Sequence, residues 1–166
     1  VYAALYNVTV AGTYSMSVVY PGSAGDLHIK HSPFQIKVVG GITSESHSTA
    51  EGDGIAGVRM GFPGTFLVVL RDSFGNRRPD AADALVTAGL SGPFTVDIGA
   101  GPGPVSVDRA MRVKDLGDGS FYVEYNVSCL GWYSVSVAVN DRDVAGSPYR
   151  VPAVGGFLLT RWHLGI

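Results

Sequence analysis

Residues 113–139 read VKDLGDGSFYVEYNVSCLGWYSVSVAV. Phe121, Val123 and Tyr125 alternate with Tyr122, Glu124 and Asn126, and Tyr133, Val135, Val137 and Val139 alternate with Ser134, Ser136 and Ala138. Such period-two patterning gives a strand one apolar face and one wet face, as in an antiparallel sheet. Gly117-Asp118-Gly119 before the first run and Asn140-Asp141 after the second are turn signals. Two adjacent half-buried strands therefore anchor the reading.

The same sentence occurs earlier in the chain. Residues 6–18, YNVTVAGTYSMSV, match residues 125–137, YNVSCLGWYSVSV, at eight of thirteen positions and a constant offset of 119. Ser32-Pro33-Phe34 recurs as Ser147-Pro148-Tyr149, and Val39-Gly40-Gly41 as Val154-Gly155-Gly156, at an offset of 115. The smaller offset reflects a longer connection in the first copy. The chain thus divides into the last part of one module (1–41), one whole module (42–156) and a tail or truncated continuation (157–166). Gly40-Gly41 and Gly155-Gly156 fall at equivalent seams and read as linkers. The start at Val1, in strand-like sequence without an initiator Met, reads as a piece of a longer chain.

Composition bounds the function. The chain has 166 residues, 46% hydrophobic and 16% charged, which suffices for a core. Its 23 glycines and 9 prolines follow no three-residue period, which excludes collagen. A net charge of −2 supplies no basic field for nucleic acid. No apolar run approaches the ~20 residues of a membrane span. One cysteine, Cys129, excludes an internal disulfide.

Further strands follow the same logic. Phe66, Val68 and Leu70 lie in TFLVVLRD (65–72), a strand buried on at least one face. Pro79–Leu90 reads either as a short helix opened by Pro79-Asp80 and closed by Gly89, or as a loop. Regularly spaced strands with no strong helical period imply an all-β sandwich of about one hundred residues.

In their order, GTF-hydrophobic-RDSFGN (64–76), PFTVDI (93–98), VKDLGDGSFYVEY (113–125), GWYSVSVAVN (131–140) and GSPYRV (146–151) resemble the filamin-type (ABP280) immunoglobulin-like repeat. The resemblance spans nearly all of the chain but the last ten residues, FLLTRWHLGI. Extra residues at 79–92 and 99–110 make the module longer than usual. The resemblance implies strand B at Thr65–Asp72, C at Phe94–Ile98, D near Met111–Asp115, E at Ser120–Asn126, F at Gly131–Val139 and G at Pro148–Val151. It also implies that Tyr133 anchors the E–F corner through its hydroxyl.

No catalytic constellation emerges, so the chain reads as non-enzymatic and without a cofactor. Cys129 has no patterned His partner. His28 and His31 are not on a helix that would aim both at one metal. Gly52–Gly57 formally matches GxGxxG, but it leads into a sandwich strand and reads as a flexible A-strand lead-in, not a dinucleotide loop. Asp115, Asp118 and Glu124 read as hairpin acids.

Two functional expectations remain. Filamin-like repeats space domains and take protein partners by β-strand addition between C and D, here Phe94, Thr95, Val96, Asp97 and Ile98 with Met111, Arg112, Val113 and Lys114. Arg112 and Lys114 would favour an acidic flank, unless residues 99–110 cover this edge. A cytoplasmic, cytoskeletal setting follows, with actin reached through a domain outside this stretch. Alternatively, the chain belongs to a cell-surface adhesion or gamete-surface protein of filamin-like repeats. Asn7-Val8-Thr9 and Asn126-Val127-Ser128 favour that setting, being formal N-glycosylation acceptors with Asn126 facing outward.

Overall fold

A computed structural model describes residues 3–23, 25–94 and 111–155, apart from the side chains of Pro93 and Phe94. Two four-membered arrays of strands face each other across one apolar core. In the first, β5 (Thr49–Glu51), β7 (Pro63–Val69), β10 (Ser120–Asn126) and β9 (Arg112–Asp115) lie in that order, all antiparallel. In the second, β8 (Val86–Phe94), β11 (Gly131–Val139), β13 (Tyr149–Val154) and β6 (Val58–Arg59) are neighbours, with β6 parallel to β13. The short β12 (Arg142–Asp143) folds back on the end of β11. Asn140 and Asp141 make this two-residue turn with φ of 50° and 62°, the left-handed pair that matches strand twist.

The core follows the alternation in the sequence. Val68 and Leu70 from β7 and its end, Val123 from β10, Val135, Val137 and Val139 from β11 and Val151 from β13 are fully buried. Each contributes roughly 1.5–3 kcal/mol by leaving water. Phe66 and Tyr125 add an edge-on ring pair with centroids 6.4 Å apart. The Tyr125 hydroxyl donates to the Gly54 carbonyl, and Gly64 makes room for that ring. A Cβ on Gly64 would lie 2.6 Å from Tyr125 Cζ.

Strands E and F occupy the expected ranges, while B is Pro63–Val69, D is Arg112–Asp115 and G is Tyr149–Val154. The strand that pairs with F from the C position is Val86–Phe94, not the expected Phe94–Ile98, and residues 95–98 lie outside the described residues. Val86 and Leu90 are buried, whereas Thr87 and Ser91 are exposed, so period two is present. Ala88, Gly89 and Gly92 weaken that signal, and pairing with β11 decides it. Opposite Trp132 and Ser134 the register slips by one residue, and Gly92 there has φ of 118°, a backbone conformation that favours glycine. The segment from Pro79 therefore supplies strand C after a turn, rather than a helix or an inserted loop. Gly52–Gly57 is also firmer than a flexible lead-in. Asp53–Ala56 forms one helical turn, α1, packed on β7 so closely that a Cβ on Gly54 would lie 2.6 Å from the Thr65 nitrogen.

Residues before Gly40 form two further antiparallel pairs, β1 (Gly12–Met16) with β4 (Phe34–Val38) and β2 (Val19–Gly22) with β3 (Gly25–His28). Gly12 opposes Val38 and Met16 opposes Phe34, just as Gly131 opposes Ala153 and Val135 opposes Tyr149. The repeat in the sequence is thus a repeat in register. The Tyr14 hydroxyl donates to the Val10 carbonyl at 2.8 Å, and the Tyr133 hydroxyl to the Cys129 carbonyl at 3.0 Å. Ser32 Oγ accepts from the Val18 N–H, and Ser147 Oγ from the Val137 N–H, each at 2.9 Å. The expected role of Tyr133 at the E–F corner is present in both copies. The expected tail, 157–166, lies outside the described residues.

Candidate functional site

Two places on the sandwich bring candidate side chains together. The first is the edge formed by D and C. All four residues of β9 are exposed, and among the described residues β9 pairs only with β10 and β8 only with β11. The two strands belong to different sheets and approach each other at this side of the sandwich. Hairpin chemistry fixes β9. Gly117 and Gly119 take φ of 77° and 75°, Asp115 accepts the Gly117 N–H at 2.8 Å, and Asp118 accepts the Ser120 N–H at 3.1 Å. Hydrogen bonding from the Ser120 side chain, against some desolvation and helped by the Arg77 guanidinium, holds the Asp118 carboxyl below its ordinary pKa. Arg77 reaches Asp118 at 2.9 Å.

The expected edge residues divide. Arg112, Val113 and Lys114 lie on β9, Met111 is half-buried against the core, and Phe94 ends β8 opposite Trp132. Thr95, Val96, Asp97 and Ile98 lie outside the described residues, as does the 99–110 stretch. Arg112 sits directly across from Glu124, so its charge is partly offset, whereas Lys114 faces Tyr122.

The second place is the seam at Gly40-Gly41, where the residues are held rather than loose. Asn76 Oδ1 accepts the Ala11 N–H at 2.8 Å, and Asn76 Nδ2 donates to the Thr9 carbonyl at 2.7 Å. Asp72, only 3% exposed, accepts the N–H groups of Gly41, Phe74 and Asn76, each at 2.9 Å, and the Asn76 amide. Burial alone would raise the Asp72 carboxyl. Hydrogen bonds from the Asn76 side chain and the backbone of Gly41, Asn76 and Phe74 outweigh it and bring the pKa down to about 2. Arg78 donates to the Gly40 and Gly41 carbonyls and pairs with Asp80 at 3.1 Å and Asp83 at 3.0 Å. Asp83 in turn accepts the Thr43 N–H at 3.0 Å and hydroxyl at 2.9 Å. Burial pushes the Asp83 carboxyl up, but the Thr43 bonds and the Arg78 charge carry it below its ordinary value. The sequence offered RDSFGN only as a fold signature. Its partners lie 65 and 67 residues away, beyond the reach of local patterning.

The remaining candidates are isolated. Asn7 and Asn126 are both exposed, Asn126 as the last residue of β10. Cys129 is exposed. His28 Nδ1 shares a 2.9 Å hydrogen bond with Ser32 Oγ. Among the described residues no three His, Cys, Asp or Glu side chains converge as a metal site would need, and no helix is long and apolar enough to cross a membrane.

Two antiparallel-rich sheets packed face to face, with a tyrosine corner and Greek-key crossing of strands between sheets, define an immunoglobulin-like β-sandwich. A family model described as Filamin/ABP280 repeat matches residues 43–150, and the chain belongs to that family. It is 29% identical to Filamin-A of Drosophila melanogaster over 148 residues, 89% of this chain and 5% of that protein. It is 27% identical to Filamin-C of Rattus norvegicus over 150 residues, 90% of this chain and 4% of that protein. The chain therefore spans about one twentieth of the curated relatives it matches. Among solved structures it is similar in fold to the Lin-41 filamin domain, with a TM-score of 0.54 and 18% identity, covering 69% of this chain and 98% of that one. Repeats of this family are a structural, non-catalytic domain type.

Proposed function

We propose that the chain is an interaction and spacer module whose partners add a β-strand along the C–D edge, at β8 and β9. The observation that carries this reading is β9 itself, an exposed four-residue strand paired on one side only among the described residues. Its outer N–H and C=O groups are what an extended peptide needs, and alternate side chains can then seat against the gap toward β8. Lys114 discourages pairing with an identical basic edge and favours an acidic flank. The test is a titration of the isotope-labelled chain with an extended peptide of alternating valine and serine flanked by glutamates. Amide shifts confined to residues 86–94 and 111–115 support strand addition. Saturating peptide with no shifts there removes the site. A cytoskeletal setting, with actin reached through another region of a longer protein, is part of this proposal and is supported by the filamin relatives.

A second reading, a cell-surface protein, is favoured by the exposure of both sequon asparagines, Asn7 and Asn126. It predicts a glycan on native protein at one or both positions, read by mass spectrometry. Unmodified asparagines at full occupancy favour the cytoskeletal setting.

A further inference from the structure

Residues 157–166, FLLTRWHLGI, carry six large apolar side chains in ten positions: Phe157, Leu158, Leu159, Trp162, Leu164 and Ile166. Where the described chain reaches Gly155, just before them, the sandwich exposes an apolar patch. Gly131 opposes Ala153 at the end of the β11–β13 pair, which sets Leu130 beside Val154. These two are 55% and 54% exposed. The Met60 N–H donates to the Val154 carbonyl at 2.9 Å and brings the turn after β6 against the same strand end. That turn, closed by the Phe62 N–H on the Arg59 carbonyl at 3.0 Å, adds exposed Met60 and Phe62. Single exposed apolar residues are ordinary on a surface. Four of them, from three chain segments that meet at one end of the sandwich, form a patch.

We propose that this patch is the docking surface for residues 157–166 of the same chain. Position selects that occupant first. Val154 belongs to the patch, and the segment begins three residues later. So short a tether presents it at high effective concentration, ahead of any partner in free solution. Ten residues span at most about 33–36 Å, and Phe62 lies only two residues beyond Met60, which is bonded to Val154. Chemistry selects it second. The apolar side chains of the segment need a surface on which to leave water. The patch supplies two aliphatic side chains, a methionine that adapts its shape and the ring of Phe62, over which the Arg59 guanidinium carbon sits 5.8 Å from the centroid. Val127 and Ala153, both buried, adjoin the patch, Val127 through its carbonyl bond from the Gly61 N–H. The docked segment thus extends the existing core rather than founding a new one. Docking at this end is independent of strand addition at β8 and β9, and it closes an apolar surface that would otherwise draw other chains.

The test uses Trp162 as its own reporter. The chain has two tryptophans, and Trp132→Phe leaves Trp162 alone. The expected result is acrylamide quenching of Trp162 several-fold weaker than in a free peptide of residues 155–166, with the emission maximum shifted to the blue. Leu130→Ser and Val154→Ser together should return both readings to those of the free peptide, while the exposed positions keep the cooperative melt of the sandwich. Quenching equal to that of the free peptide overturns the proposal, and so does protection that survives both substitutions. Protection lost on hundredfold dilution assigns the patch to a second copy and also overturns it. A second measurement leaves the sandwich unmutated: the methyl resonances of Leu130 and Val154 should shift between the 166-residue chain and one ended at Gly156. Identical methyl shifts in the two chains refute docking whatever the tryptophan variant does.

Discussion

Replacing Asp72 by Asn keeps the shape of the side chain and removes its charge. The carboxylate accepts three backbone N–H groups at 2.9 Å and the Asn76 amide, in a site only 3% exposed. A carboxamide offers one acceptor oxygen and turns an NH2 group toward the remaining donors. At least one buried N–H then loses its acceptor, at a cost of about 1–3 kcal/mol, and the surviving bonds lose their charge assistance. Linkage gives a second measure. A carboxyl held at about 2 when folded, against an ordinary 3.8, contributes on the order of 2 kcal/mol at neutral pH. The two routes agree on about 2–3 kcal/mol, or roughly 6–12 °C in melting temperature for a domain of this size. Because the folded pKa is the lower one, this stabilisation is full above about pH 4 and is lost as pH falls toward about 2. Thermal melts of wild type and D72N from pH 7 to pH 2 should therefore show a wide gap that closes at the acid end. A gap below about 2 °C at pH 7, or one that stays constant down to pH 2, refutes the account of Asp72.

Other substitutions probe separate links. Gly64→Ala drives a methyl into the Tyr125 ring, 2.6 Å from Cζ, and should cost about 2–4 kcal/mol in chemical denaturation, relieved in part by Tyr125→Leu in the same chain. Val137→Ala empties space in a fully buried position between the sheets and should lower stability by about 2 kcal/mol without changing the denaturant slope. Lys114→Glu on the exposed β9 should leave the melting temperature within about 2 °C, yet weaken binding of the glutamate-flanked peptide several-fold at low salt and less at high salt.

The parts of the fold that were legible in the sequence are those whose side chains report their own environment. Strands E and F announce themselves because every second residue from Phe121 to Tyr125 and from Tyr133 to Val139 is apolar and buried. Asn140-Asp141 and Gly117–Gly119 announce turns because few residues tolerate positive φ. Strand C did not announce itself. Its Ala88, Gly89 and Gly92 carry little hydrophobic contrast, and hydrogen bonding to β11 makes it a strand. The helical turn at Asp53–Ala56 is likewise a product of packing on β7, too short to be specified by its own propensity.

The same division runs through the candidate sites. Arg112, Val113 and Lys114 could be placed on the strand before the D–E hairpin from the family resemblance and the Gly117–Gly119 turn, and the structure has them on exposed β9. The seam could not. Gly40-Gly41 looks like a flexible joint in one dimension because glycine is locally permissive. In three dimensions it is a close approach, gripped by Asp72 and Arg78 from a loop more than thirty residues away. The sequence by itself determined the half-buried strands, the turns and the internal repeat, because burial patterning and turn chemistry are local, and the order of its motifs carried the family resemblance. Only the tertiary structure decided which strand fills the C position and what the glycines at the seam are for, because both depend on polar and steric partners brought together by folding.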